Sequence, residues 1–117
     1  MNRPEQKLQK AVFEHIRVRA VPGVVAWHTP NGGWRSRTEA KILKGQGVRP
    51  GIPDICAVKD GRAYFLELKA EGGRLTDPQE QTLIDLRAAG AQATHAHGLD
   101  QALAVLEQWG ILRGKAA

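Results

Sequence analysis

The stretch Gly51–Lys69, GIPDICAVKDGRAYFLELK, decides the fold. Two apolar runs flank Asp60-Gly61, the dipeptide favoured in a two-residue type I′ hairpin turn. With the turn placed there, Lys59 pairs with Arg62 and Val58 with Ala63, and the same register carries Asp54 opposite Glu67. That last pair is a non-hydrogen-bonded one, with Cα atoms about 4.5 Å apart and side chains on one face. Lys69, two residues beyond Glu67, shares the face. The surrounding Ile55, Cys56, Ala57, Phe65, Leu66 and Leu68 are apolar, so the two acids meet in a poorly screened setting. Like charges directly opposed destabilise a sheet.

A divalent cation would relieve that repulsion. Mg²⁺ takes one or two carboxylates and fills its shell with water and phosphate oxygens. Lys69 would then reach the phosphate or the attacking water, which is the chemistry of metal-assisted phosphodiester hydrolysis. The structural reading of the same residues is simpler. Asp54 caps a turn after Pro53, and Glu67–Lys69 is a surface pair on an edge strand.

Working outward, Pro4 to about Arg19 reads as a helix, with Leu8, Val12 and Ile16 on one stripe and Pro22-Gly23 ending it. Val24 to His28 is a short strand, and Thr29 to Gly33, TPNGG, a turn-rich loop. Thr38 to Lys44 reads as a short helix stopped by Gly45 or Gly47. After the hairpin, Pro78 to Ala89 is a helix with Gly90 past its end. Ala91 to His97 is a strand. Leu99 to Gln108 is a last helix, with Leu103, Leu106 and Trp109 toward the core. The order is a mixed α/β domain, one sheet covered by helices. The expected organisation is a single domain over 1–117, with residues 113–117 frayed.

The 117 residues suit one core, and the 42% apolar content can fill it. No apolar run reaches the length of a membrane span, and no signal peptide is visible. One cysteine, Cys56, excludes an internal disulfide and fits a reducing cytoplasm. Four scattered histidines without a CxxC argue against structural zinc, and His95 and His97 read as non-ligands. Charge is uneven. Residues 1–49 hold ten Lys/Arg against three Asp/Glu, whereas residues 50–117 hold seven against nine. The first part would attract a polyanion. Its densest run, Arg35, Arg37, Lys41, Lys44 and Arg49, is offset by Glu39 alone and adjoins the acid pair in sequence.

Pro53-Asp54 followed by Glu67-Leu68-Lys69 resembles the PD-(D/E)XK nuclease superfamily. HTPNGGWR (28–35), KGQGVRPGIPDI (44–55), ELKAEGGRLTDPQ (67–79) and LRAAG (86–90), in that order, resemble the virus-type replication-repair nuclease domain, VRR-NUC. The resemblance runs from about Glu5 to Trp109. It implies a restriction-endonuclease-like core, a central mixed sheet flanked by helices, dependence on Mg²⁺ or Mn²⁺, and DNA as substrate. Small members of this family are associated with four-way junctions and homodimers. By the match, Asp54, Glu67 and Lys69 are catalytic, with Gln79 and Glu5 counted beside them, and the expected metal ligands are Asp54, Glu67 and the Leu68 backbone carbonyl. Gln79 matches the glutamine opening the following helix. Glu5 and Gln9 match an E-x-x-x-Q whose acid approaches the metal site. LTDPQ stands where LSPEQ is the expected form, with the proline shifted by one and the glutamine in place.

Several of these residues also carry a structural reading. Thr76-Asp77-Pro78-Gln79 fits a capping box, and capping and site roles are compatible. Glu5 suits a helix N-terminus. His28 reads more as a structural histidine than a catalytic one. Trp27, Trp34 and Trp109 read as core or DNA-proximal packing. Asn31, Arg35, Arg37, Lys41, Lys44 and Arg49 are the expected DNA contacts.

The expectation is therefore a Mg²⁺- or Mn²⁺-dependent endodeoxyribonuclease that cuts branched DNA such as Holliday junctions as a homodimer, in the cytoplasm of a bacterial host or a phage-infected cell. The alternatives are a monomeric nuclease for flap, duplex or single-stranded DNA, and a non-catalytic nucleic-acid-binding module.

Overall fold

The computed structural model describes residues 3–30 and 35–114. Its elements run α1 (Arg3–Arg19), β1 (Val25–Trp27), α2 (Arg37–Gly45), β2 (Ile55–Lys59), β3 (Arg62–Lys69), α3 (Asp77–Ala88), β4 (Gln92–His97) and α4 (Gly98–Gln108). One four-stranded sheet has the order β1-β2-β3-β4. The first three strands are antiparallel neighbours, and β4 joins β3 in parallel after the α3 crossover.

The hairpin is the one its dipeptide requires. Asp60 and Gly61 take φ of 51° and 76°, both in the left-handed region that a type I′ turn demands. Lys59 faces Arg62, and the ladder runs unbroken to Ile55 opposite Leu66. There it stops, because Pro53 has no N–H to give.

The two faces of the sheet have different tasks. Ile55, Ala57, Tyr64, Leu66, Leu68 and Ala96 point to one side and form the core with Leu8, Val12 and Ile16 of α1 and Ala102, Leu103 and Leu106 of α4. The apolar stripe of α1 thus finds its partners. Arg19, at the end of α1, pairs with Glu107 of α4 and bonds the Arg113 carbonyl, so Arg113 is tied to the first helix. Trp109 packs its ring 5.4 Å from that of Tyr64. The other face carries Cys56, Val58, Phe65, Glu67, Lys69, Ala93, His95 and His97, by strand alternation. Helix α3 covers its β4 end, burying Thr82 and Leu83.

Helix α2 buries none of its residues. Ser36 caps it by accepting from the Glu39 N–H, and the helix starts one residue earlier than its propensity suggests. Among the described residues no helix is long and apolar enough to cross a membrane.

Candidate active site

The site lies where the β2–β3 ladder ends. Glu67 is placed by β3. Asp54 sits one residue before β2, in the register position opposite it. In a continued ladder the Leu68 N–H would bond the Pro53 carbonyl. Instead it donates to Asp54 Oδ2 at 2.9 Å. The proline thus ends the pairing, and the acid beside it takes over the freed donor. That bond orients the Asp54 carboxylate along the sheet edge toward Glu67.

Both acids are buried, with 8% and 3% of their surface exposed, and Lys69 retains 6%. Burial pushes the Glu67 carboxyl up to about 10, helped by a hydrogen bond with Asp54 and by the Asp54 charge. The Lys69 ammonium pulls the other way, and Glu5 adds a smaller upward push. Without a cation, Glu67 therefore keeps its proton at neutral pH.

A cleft of about 740 Å³ opens onto the pair. Its walls include Glu5 and Gln9 of α1, His28, Pro30, the loop from Pro50 to Ile52, and Thr76, Pro78 and Gln79 at the start of α3. Three ties hold the loop against α3. The Thr82 hydroxyl donates to the Pro50 carbonyl at 3.1 Å. Arg49 pairs with Asp85 and holds its carboxyl below the usual range. Gly51, at φ +79°, lies so close that a Cβ there would stand 2.5 Å from the Pro78 carbonyl oxygen.

Among the described residues no three His, Cys, Asp or Glu side chains gather as a closed metal cage. The donor set nonetheless fits a hard divalent cation that keeps water and phosphate oxygens in its shell. The two carboxyls of Asp54 and Glu67 face the same cleft. Gln9 Oε1, also at the cleft, is buried with no hydrogen-bond donor among the described residues. An acceptor left unsatisfied at this place suits a hydrated cation.

The sequence-based site residues divide accordingly. Asp54, Glu67, Glu5, Gln9 and Gln79 line one cleft. Lys69 lies beside Glu67 on β3, close enough for its charge to act on that carboxyl. Gln79 completes the capping box: its Oε1 accepts from the Thr76 N–H at 2.9 Å while its own N–H donates to Thr76 Oγ1 at 3.3 Å. Arg35, Arg37, Lys41 and Lys44 are exposed on and before α2. Arg35, Lys44 and Arg49 line a second groove of about 290 Å³, which shares Pro30 and Pro50 with the cleft. Asn31 and Trp34 lie outside the described residues.

His28 makes the structural contact its sequence reading favours and also reaches the cleft. Its Nδ1–H donates to the Asp54 carbonyl at 2.7 Å, and its ring lines the cleft. It is structural in that it holds the backbone of Asp54, and it is also part of the wall. Thr76 reads in the sequence as a helix cap alone, and Gly51 carries no chemical signal there. Only the fold of the loop onto α3 brings them to the site.

The family model for the VRR-NUC domain matches residues 3–100. The chain belongs to the VRR-NUC family of nuclease domains. Its structure is similar to that of a solved VRR_NUC domain protein, with a TM-score of 0.75 at 22% identity over 93% of this chain and 89% of the other. A second solved VRR_NUC domain gives a TM-score of 0.62 at 18% identity over 91% and 97%. The Holliday junction resolvase Hjc of Archaeoglobus fulgidus aligns more loosely, with a TM-score of 0.44 at 21% identity over 79% and 64%. No curated protein matches the chain. The fold of this VRR-NUC domain is thus restriction-endonuclease-like, a mixed four-stranded sheet flanked by helices.

Proposed function

We propose that the protein is a metal-dependent endodeoxyribonuclease that hydrolyses phosphodiesters at branched DNA, four-way junctions foremost, as a homodimer. The observation that carries the chemistry is the buried Asp54–Glu67 pair, with Glu67 raised to about 10, at the floor of an open cleft. A structural sheet has no use for that juxtaposition, whereas a cation site does. Asp54, Glu67 and the Leu68 carbonyl would hold Mg²⁺ or Mn²⁺, which when bound supplies charge for the developing phosphorane and acidifies water.

The chain's own groups do the rest. Lys69 donates to the attacking water or to a phosphate oxygen, and its charge favours the ionised form of Glu67. Gln79 and Glu5 fix the cleft walls on which the phosphate and its solvent are placed. Arg35, Arg37, Lys41 and Lys44 meet the DNA backbone, whose phosphate contacts set position and not sequence. The branched substrate and the two-fold dimer rest on family membership and on symmetry: two copies about a two-fold axis present two sites to a symmetric junction.

End-labelled oligonucleotides with Mg²⁺ or Mn²⁺ test this, comparing a four-way junction, a flap, plain duplex and single strand, with Lys69→Ala protein as the control. Paired symmetric cuts in the junction are the expected result. Cleavage of flap or duplex alone would keep the nuclease and discard the junction-cutting dimer. No cleavage of any substrate, with binding intact, would leave a binding module.

A further inference from the structure

We propose that Trp27 is a stacking platform for an unpaired nucleobase on the strand that enters the cleft, which makes it a specificity-determining residue. This rests on reading the cleft as a nuclease site. In β1, Val25 and Trp27 are exposed while Ala26 between them packs toward the core. Val25 pairs with Val58, and Trp27 with Cys56. Strand alternation therefore sets Val25, Trp27 and Val58 on the same face as Asp54 and Glu67. These three side chains stay 63%, 42% and 39% exposed. Helix α3 covers the β4 end of that face and leaves the β1 end open.

The indole is not loose. Its Nε1–H donates to Thr29 Oγ1 at 3.2 Å, and the Thr29 hydroxyl lies 3.8 Å from Cys56 Sγ. The polar edge of the ring is satisfied within the protein, and what remains for a partner is its π-face. Trp27 stands opposite Cys56, two residues along β2 from Asp54, so a chain held at the acids reaches it within a short step. Next after Thr29 comes Pro30, which borders both the cleft and the groove lined by Arg35, Lys44 and Arg49. Among the strand residues of this face the only acid is Glu67, and Asp54 stands one residue before β2. A polyanion crossing it meets repulsion only where a cation is expected, and meets guanidinium and ammonium groups beyond.

A base fits that surface better than a second copy of the chain. Three partly exposed side chains fall far short of the ~800 Å² per partner of a stable interface. Stacking on one aromatic needs no more than the ring, and it tolerates any base because every base has a π-face. A paired base is already stacked on both sides, so the platform distinguishes unpaired from paired DNA.

The test compares wild type, Trp27→Ala and Trp27→Phe for binding, without metal, to fluorescent fully paired duplex and to the same duplex with a single-stranded tail. Trp27→Ala is expected to lose about tenfold in affinity for the tailed DNA, the scale of one base–aromatic stack, with duplex binding unchanged. Trp27→Phe is expected to keep most of it. 2-Aminopurine placed along the tail should be quenched at one position by wild type and not by Trp27→Ala. Thr29→Val, which frees the indole N–H without removing the ring, should show a smaller loss and serves if Trp27→Ala melts early. Equal losses on both DNAs, no loss, or a wild-type dimer that Trp27→Ala turns into monomer by sedimentation would overturn the proposal. If wild type cuts nothing when Mg²⁺ is added, the nuclease reading fails on that arm, while the difference in binding still decides the platform.

Discussion

Burial acts on Glu67 through one proton. Its carboxyl is raised from the ordinary range to about 10, mainly by burial and then by Asp54. An acid whose folded-state pKa is raised binds its proton more tightly in the native state. Above the ordinary glutamate range the unfolded chain has lost that proton and the native chain has not, so stability falls as pH rises from about 4.5 toward about 10. Metal-free chemical denaturation at pH 6 and pH 9 should show this decline, and Glu67→Gln should flatten it. An equal slope in the two proteins would place the proton elsewhere. A cation held by Glu67 would expel the proton, so on the proposed function added Mg²⁺ should raise the melting temperature more at pH 9 than at pH 6. Asp54 behaves differently on substitution. Asp54→Asn keeps an oxygen for the buried Leu68 N–H and should leave the metal-free fold as stable or more so, with cleavage abolished. Asp54→Ala strands that donor and should cost about 1–3 kcal/mol by urea melts, in addition to losing activity.

The start of α3 and the loop before β2 act as one element. Gln79 accepts from the Thr76 backbone and lines the cleft, so a cap and a place in the cleft wall occupy one side chain. Glu at N3 closes the same box as Gln. Gln79→Glu should therefore hold its melting temperature, and a loss of cleavage in that variant would isolate a site role from the cap. Thermal melts beside single-turnover cleavage make the comparison. Gly51 lies directly against that helix start. Its positive φ and its approach to Pro78 exclude any side chain. Gly51→Ala should destabilise by about 1–3 kcal/mol and slow cleavage, because the loop must move off α3 and carry the Asp54 side of the cleft with it.

At the scale of the whole molecule, charge and shape divide between two regions. The core of α1, α4 and the inner sheet face holds the fold. Helix α2, with no buried residue, holds an exposed basic surface. A helix that contributes so little packing is free to be spent on a partner. Affinity for DNA should fall steeply with salt, and Lys41→Ala with Lys44→Ala should reduce the log–log slope by about 1 for each phosphate no longer neutralised. Because neither side chain is packed in the core, melting temperature should hardly change. Anisotropy titrations across a salt series would show a slope equal to wild type if α2 faces away from the DNA.

The hairpin, and with it the acid pair, was legible because Asp60-Gly61 specifies a turn and strand pairing propagates register from it without choice. The α1 stripe was equally legible, since Leu8, Val12 and Ile16 recur at helical spacing. These features depend on neighbours in sequence. The rest of the site depends on neighbours in space. Strand alternation could not say that Asp54 would turn its carboxylate to the Leu68 N–H, that His28 would reach the Asp54 carbonyl, or that Arg49 would be held by Asp85. Nor could it say that Gly51 would press on Pro78. The sequence alone determined which residues carry the charge and which strand position each takes. Only the tertiary structure decided how deeply the acids are buried and what closes around them, because desolvation and packing are set by elements that the chain brings together from far apart.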